Sequence, residues 1–206
     1  MLAGEWASTR SAIQTPGVGG EKLKFDTRDI ALTAVFTALY ALINLIQSLS
    51  PLGNPSIYGP VQLRVSDFLI ALAALLGMPV VVGVTLGCAV VNVFGFIGPI
   101  DVIFGSVANL VAASLVMLLR KHRLPACIVG AVPIGVIVGG GYLWIFYPYQ
   151  PAELAFLPAW STTLISITIS SLIAVTVIGY IVLQILSRPA IIEPLKSRGL
   201  KVLKQD

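Results

Sequence analysis

The chain has 206 residues, of which 57% are hydrophobic and only 11% are charged, and its mean hydropathy is +0.95. A soluble domain carries about 25% charged residues, so this composition excludes an ordinary soluble fold. Because lipid offers no hydrogen-bond partners to the backbone, the long apolar runs must form helices, and they lack the alternation of barrel strands. We therefore predict one all-α, polytopic membrane domain.

Six apolar runs predict a six-transmembrane-helix bundle. They cover residues 30–49, 68–76, 80–96, 102–119, 124–147 and 160–186. A helix needs about 20 residues to cross about 30 Å of hydrocarbon, so the second run predicts a short helix that is completed by protein. The predicted division is a disordered cytoplasmic tail (1–24), a six-helix membrane domain (25–190) and a basic cytoplasmic tail (191–206).

The basic residues predict the orientation of the bundle. The amino-terminal segment, the loop between the fourth and fifth helices and the carboxy-terminal tail together hold 12 of the 13 Lys and Arg residues. With six spans these regions share one side, and the positive-inside rule places both termini in the cytoplasm, for a multi-pass protein of the plasma membrane. The formal net charge of +4 then reflects topology and anionic lipid rather than nucleic-acid binding.

Polar and charged residues at the outer ends of the helices predict a ligand pocket. Ionisable groups at membrane depth are costly and usually face a cavity or each other. A set of carboxylates, amides, one guanidinium and aromatic rings suits a small, flat, polar heterocycle. The predicted ligand-binding residues are Tyr58, Gln62, Arg64, Asp67, Asn92, Asp101, Asn109, Glu153 and Trp160.

Purely structural roles are the alternative for several of these residues. Arg64 and Asp67 are three residues apart and could form a local pair that caps the second helix. Asp101 could be the N-cap of the fourth helix, where a carboxylate is favoured. Asn109 shares a helix face with Asp101 and Gly105, and it either extends a polar stripe inward or joins neighbouring helices.

Two stretches of the sequence resemble the motifs of the QueT family. Residues 61–67, Val-Gln-Leu-Arg-Val-Ser-Asp, are similar to the family pattern Gln-x-Arg-x-Ser-Glu, with Asp67 where the family more often has Glu. Residues 91–95, Val-Asn-Val-Phe-Gly, followed by residues 98–106, resemble the second motif. The resemblance is clearest over residues 29–120, and it implies a substrate-binding component of an energy-coupling factor (ECF) transporter, associated with uptake of queuosine precursors.

The resemblance also implies the partners. Such a component captures its ligand outside and releases it inside after docking on a transmembrane coupling protein that two ATPase subunits drive. Docking in this class uses small residues of the first helix, often Ala-x-x-x-Ala, which Ala34 and Ala38 match. Internal helix packing is the alternative role, since small residues also recur at Gly83/Gly87 and Gly135/Gly139.

The absence of other motifs limits the function of the chain. It has no Gly-x-x-x-x-Gly-Lys-Ser/Thr loop, so no cofactor is expected in this chain and ATP would be used by partner subunits. With one His and no nucleophile motif, we do not expect an enzyme. The favoured ligand is a 7-deazaguanine base. The alternatives are a solitary secondary transporter in which Asp67 or Asp101 couples transport to protons, and a structural membrane protein without a small ligand.

Overall fold

The structure is a computed structural model that describes residues 25–49, 63–94, 98–146, 152 and 155–203. The described residues are helical and include no β-strand, which confirms the all-α prediction. The helices are α1 (Thr27–Leu49), α2 (Val65–Leu76), α3 (Met78–Phe94), α4 (Pro99–Leu118), α5 (Arg123–Phe146), α6 (Ala159–Leu186) and α7 (Pro189–Ser197).

Four of these helices, α1, α4, α5 and α6, are long and apolar enough to cross a membrane, whereas α2 and α3 are shorter apolar helices. Each of the six apolar runs in the sequence therefore corresponds to one helix. That all six cross the membrane, and that both termini face the cytoplasm, stay predictions.

The short helix α2 lies inside the bundle. It is a 3₁₀-helix over Val65–Leu72 and an α-helix over Ala73–Leu76, and nine of its twelve residues are buried. It ends at Gly77, whose φ of 72° is in the left-handed region that favours glycine. Helices α1, α4 and α6 pack against it, so protein rather than lipid surrounds this segment.

Glycines allow two pairs of helices to approach closely. An added Cβ at Gly83 or Gly87 of α3 would lie 2.6 Å from Phe36 Cβ or 2.7 Å from Tyr40 Cβ of α1. An added Cβ at Gly139 of α5 would lie 2.9 Å from Leu164 Cα of α6. In lipid, where helices gain little from apolar burial, such close approach is a main source of packing energy.

Helices α5 and α6 both contain wider, π-helical turns, over Gly135–Leu143 and Leu172–Gly179 respectively. In α5 the change follows Pro133, which has no backbone N–H to continue the α-helical hydrogen bonds. Gly135 at the start of this segment packs against Thr168 of α6. The altered turns thus lie where these two helices are in contact.

A terminal clasp, formed by Asp26, Arg28, Asp29, Gly199 and Lys201, joins the two ends of the described chain. Lys201 Nζ lies 2.8 Å from a carboxylate oxygen of both Asp26 and Asp29, and Arg28 Nη1 donates to the Gly199 carbonyl at 3.2 Å. Asp26 also accepts hydrogen bonds from the first backbone N–H groups of α1, which makes it the N-cap. The predicted division of the chain into tails and membrane domain is not tested by these contacts.

Candidate functional site

A cavity of about 750 Å³ lies between α1, α3 and the starts of α2 and α4. Most of its wall is apolar and comes from α1 and α3, including Leu42 and Phe94. Its polar lining residues are Asn44, Ser48, Arg64, Asn92 and Asp101. A volume of this size, with a few convergent polar groups, is typical of sites for small molecules.

Arg64 immediately precedes α2 and lines this cavity. Its guanidinium donates one long hydrogen bond, of 3.4 Å, to Asn92 Oδ1. Among the described residues, no carboxylate oxygen lies within 4.0 Å of it. A guanidinium has five N–H donors, so Arg64 keeps donor capacity for a ligand. The local Arg64–Asp67 ion pair considered from the sequence is not present in the described structure.

Asn92 connects the ends of α3 and α4. Its side-chain nitrogen donates to the backbone carbonyl of Asp101 at 2.9 Å and lies 3.5 Å from Cys88 Sγ. Gly105 of α4 leaves room for this amide, because an added Cβ there would come within 2.5 Å of Asn92 Nδ2. The amide is therefore held so that its oxygen faces Arg64.

Asp101 is almost fully buried, with 1% of its surface exposed, and it lines the cavity. Its Oδ1 accepts a hydrogen bond from the Tyr142 hydroxyl of α5. Gly98, not Asp101, is the N-cap residue of α4, with Pro99 at the first helical position. The alternative of Asp101 as a helix cap is therefore wrong, because its side chain bonds to a neighbouring helix.

Asp67 belongs to a second buried group that joins α1, α2 and α4. The Tyr40 hydroxyl donates to Asp67 Oδ1 at 2.7 Å and accepts from Asn109 Nδ2 at 3.0 Å. In the same layer, Asn44 donates to the Ser66 hydroxyl. Asn109 thus contacts neighbouring helices, and it also lines the inner cavity described next.

A small inner cavity of about 20 Å³ lies deeper in the bundle, with Arg64, Asp67, Asn109 and Ser171 among its lining residues. Its volume suits about one water molecule, which needs two to four polar partners of this kind. Arg64 lines both cavities, so its guanidinium lies between the main cavity and the inner cavity.

The structure brings five of the nine predicted ligand-binding residues together: Arg64, Asp67, Asn92, Asp101 and Asn109. Trp160 is 48% exposed near the start of α6 and lines neither of these two cavities. Tyr58, Gln62 and Glu153 lie outside the described residues, so their roles stay predictions.

Sequence reasoning missed six polar residues of the two cavities and their hydrogen-bond network, namely Tyr40, Asn44, Ser48, Ser66, Tyr142 and Ser171. The two tyrosines lie within apolar runs, where an aromatic residue usually indicates core packing. A signal was nevertheless present in α1, where Thr33, Thr37, Tyr40, Asn44 and Gln47 recur at helical spacing. This stripe faces the bundle rather than lipid.

The predicted docking residues lie on an exposed surface of α1. Ala34 and Ala38 are both exposed, as is the neighbouring Ala31. The close contact of α1 with α3 is made instead at Gly83 and Gly87. Packing within the bundle therefore does not occupy the Ala34/Ala38 face among the described residues.

The chain is similar to known transport proteins. It is 36% identical over 96 residues to a queuosine precursor transporter of Lactococcus lactis subsp. cremoris (strain MG1363), and this alignment covers 47% of the present chain. It spans about half of the relative's length, 53%. No solved structure matches the chain. Residues 30–188 match the QueT transporter family, a family of transporters and not of enzymes. The match extends from α1 to the end of α6 and contains both cavities, so the chain belongs to the QueT transporter family.

Proposed function

We propose that this chain is the membrane-embedded substrate-binding subunit of an ATP-driven system that takes up a queuosine precursor, a 7-deazaguanine base. The observation that carries the proposal is the apolar cavity of about 750 Å³ with Arg64, Asn92 and Asp101 among its few polar lining groups. Membership of the QueT transporter family and the name of the Lactococcus relative support the ligand class.

The chemistry of the polar groups fits the edge of a guanine-like base. Such an edge carries neighbouring N–H donors and one carbonyl acceptor. Asp101 Oδ1 accepts from Tyr142, which leaves Oδ2 to accept from the ligand, while the Arg64 guanidinium donates to the ligand carbonyl. Buried polar groups that match a ligand's donors and acceptors give strong discrimination, because an unmatched ligand leaves them unpaired.

The charge of the site supports the aminomethyl form of the base over the cyano form. Two buried carboxylates, Asp67 and Asp101, accompany a single guanidinium, Arg64. A cationic substituent on the ligand would balance the surplus negative charge. A neutral nitrile would not.

Binding to the purified chain tests this proposal. We expect saturable binding of 7-aminomethyl-7-deazaguanine in calorimetry, weaker binding of 7-cyano-7-deazaguanine, and at least about a tenfold loss of affinity in Asp101→Asn, the size expected for one charge-assisted hydrogen bond. Asp29→Asn is the matched control, because it makes the same change to a buried carboxylate of the terminal clasp.

Riboflavin and thiamine serve as comparison ligands in the same experiment. Binding of one of these vitamins in place of both deazaguanines would contradict the ligand class but keep the binding-subunit role. If none of the four compounds binds to folded protein, the proposed binding role is wrong. An equal loss of affinity in Asp29→Asn and Asp101→Asn would contradict the assignment of the site.

We further propose that the exposed Ala34/Ala38 face of α1 docks on a transmembrane coupling protein. Small side chains permit close helix approach in lipid, and both alanines are exposed. Ala38 also lines the ligand cavity whereas Ala34 does not. Ala34→Leu is therefore the cleaner test of docking.

In cells that supply the coupling protein and its ATPases, Ala34→Leu should reduce uptake strongly while the purified variant binds ligand normally. Ala190→Leu, at another exposed alanine, should leave uptake unchanged. Normal uptake by Ala34→Leu would contradict this docking face. Uptake by the wild-type chain in proteoliposomes without ATPases, driven by an imposed pH gradient, would instead establish a proton-coupled secondary transporter.

A further inference from the structure

A second cavity, of about 400 Å³, lies at the basic end of α1 between this helix and the segment that follows α7. We call it the basic cavity. Arg28, Arg198 and Lys201 line it together with Leu195, Leu200 and Val35. Among its lining residues only Val35 also lines the proposed ligand cavity, and the queuosine-precursor proposal does not involve the three cations.

We propose that the basic cavity binds the phosphate headgroup of an anionic phospholipid, with the acyl chains along the apolar wall of the cavity, which includes Leu195, Leu200 and Val35. Basic pockets beside transmembrane helices are known to suit anionic lipid headgroups. Guanidinium groups are well adapted to phosphate, since they can donate two parallel hydrogen bonds.

The distribution of charge supports an anionic occupant. Lys201 is engaged with Asp26 and Asp29, at 2.8 Å from each. Arg28 donates one hydrogen bond to the Gly199 carbonyl, and the Arg198 guanidinium has no hydrogen-bond or ion-pair partner among the described residues. Three cations thus accompany two carboxylates, and the net positive charge lies on two arginines.

The backbone after α7 fixes the position of Arg198. The N–H groups of Gly199 and Leu200 bond to the carbonyls of Lys196 and Leu195, at 2.9 and 3.0 Å. This pair of hydrogen bonds is a Schellman motif, and Gly199 has the left-handed φ, 93°, that it requires. The turn places Arg198 and Lys201 on either side of the point where Arg28 contacts the chain.

The apolar wall distinguishes a lipid from a free phosphate ion. Leu195 is 39% exposed and Val35 is 51% exposed. An inorganic ion would make no use of this apolar wall, whereas the acyl chains of a lipid would pack against it. The chain's own residues 1–24 carry three basic and two acidic residues, so their charge does not complement the cavity.

Lipid retention by the full-length protein tests the inference. Native mass spectrometry of the detergent-purified chain should show retained phosphatidylglycerol but not phosphatidylcholine, and phosphatidylglycerol should raise the unfolding temperature. Arg28→Gln/Arg198→Gln should weaken phosphatidylglycerol binding about 30-fold, as two cations near a lipid headgroup would. Lys121→Gln, which removes an exposed cation of the α4–α5 turn, should have no effect.

Arg198→Gln alone should bind phosphatidylglycerol with an affinity between those of the wild type and the double variant. This single variant replaces the double variant in the test if the latter does not fold. Equal retention of both lipids, or equal behaviour of the Arg198 and Lys121 variants, would overturn the proposal. The same conclusion would follow if inorganic phosphate stabilised the protein as much as phosphatidylglycerol, or if a peptide of residues 1–24 displaced the lipid.

Discussion

Tyr40 is the residue that connects most of the buried polar network. It is 1% exposed, and its hydroxyl bonds both to Asp67 and to Asn109. A polar group that is buried in the bundle without a hydrogen-bond partner destabilises the folded state, because it has lost its hydrogen bonds to water and gained none in return. Replacement of this hydroxyl therefore affects two partners on two other helices.

We expect Tyr40→Phe to lower the free energy of unfolding by about 1–2 kcal/mol. It should also weaken ligand binding, because Asp67 loses the donor that orients it. Thermal unfolding in detergent and calorimetric titration measure the two effects.

Tyr180→Phe is the matched control, since Tyr180 is partly buried and its hydroxyl has no hydrogen bond among the described residues. This change should alter stability by less than about 0.5 kcal/mol. Equal effects of the two substitutions would show that the Tyr40 hydroxyl does not support the network.

Gly105 leaves room for the side-chain amide of Asn92, and a side chain at this position should weaken ligand binding. In Gly105→Ala the new methyl group would meet Asn92 Nδ2 at 2.5 Å, so the amide must move away from Asp101 and Arg64. We expect at least about a tenfold loss of ligand affinity, the size of one lost hydrogen bond to a charged group. Gly141→Ala is the matched control, because it adds a methyl group where the nearest neighbouring atom, the Val136 carbonyl oxygen, is 3.7 Å away. Its affinity for the ligand should equal that of the wild type.

The sequence predicted much of the site at the level of single residues, but not how they pair. Charged and amide residues near helix ends stand out in an apolar chain, and so Arg64, Asp67, Asn92 and Asp101 were recognisable. Their partners depend on contacts between helices. Tyr142 lies 41 positions from Asp101, and no spacing rule relates residues so far apart.

Helix α1 has two different faces. One contacts α3 at Gly83 and Gly87, and the other carries the exposed Ala34 and Ala38. The sequence contained all of these small residues, but it did not show which pairs make internal contacts. Glycine, with no Cβ, permits a closer approach than alanine, and the internal crossing uses the glycines.

We expect Gly83→Ala to destabilise the protein by about 1–3 kcal/mol, the usual cost of overpacking. The added Cβ would lie 2.6 Å from Phe36 Cβ and 3.0 Å from the Thr33 carbonyl oxygen, and neither atom is the end of a flexible side chain. Ala34→Leu, a larger addition on the exposed face, should leave the unfolding temperature unchanged. A loss of stability in Ala34→Leu would place that face inside the bundle contacts.

The terminal clasp joins residues that lie 172 positions apart in the chain. The Asp26-x-x-Asp29 pattern before an apolar run is a recognisable helix start. Its basic partner Lys201 could not be identified from the sequence, because the carboxy-terminal segment holds several similar lysines and arginines.

The clasp predicts a specific pH dependence of stability. The Lys201 ammonium and backbone N–H groups lower the pKa of Asp26 from 3.8 to about 2, and the two carboxylates raise the pKa of Lys201. A lowered carboxyl pKa stabilises the fold above the unfolded-state value, and this contribution is lost as the pH falls toward 2. The Lys201 contribution is present at neutral pH and is lost only above its raised pKa.

Lys201→Gln should therefore be less stable than the wild type between about pH 4 and pH 10, and the difference should shrink toward pH 2. Thermal unfolding at several pH values measures it. Lys196→Gln removes a nearby exposed cation and should follow the wild-type curve. A constant difference for Lys201→Gln at every pH would show that the ion pairs do not cause it.

The 3₁₀ geometry of α2 determines how far Arg64 lies from Gly77 along the axis of this helix. A 3₁₀-helix rises about 2.0 Å per residue and an α-helix about 1.5 Å. The eight residues Val65–Leu72 therefore advance about 16 Å instead of about 12 Å. Conversion of this stretch to an α-helix would draw Arg64 about 4 Å toward Gly77. The place of the Arg64 guanidinium in the cavity thus depends on the pitch of one short helix.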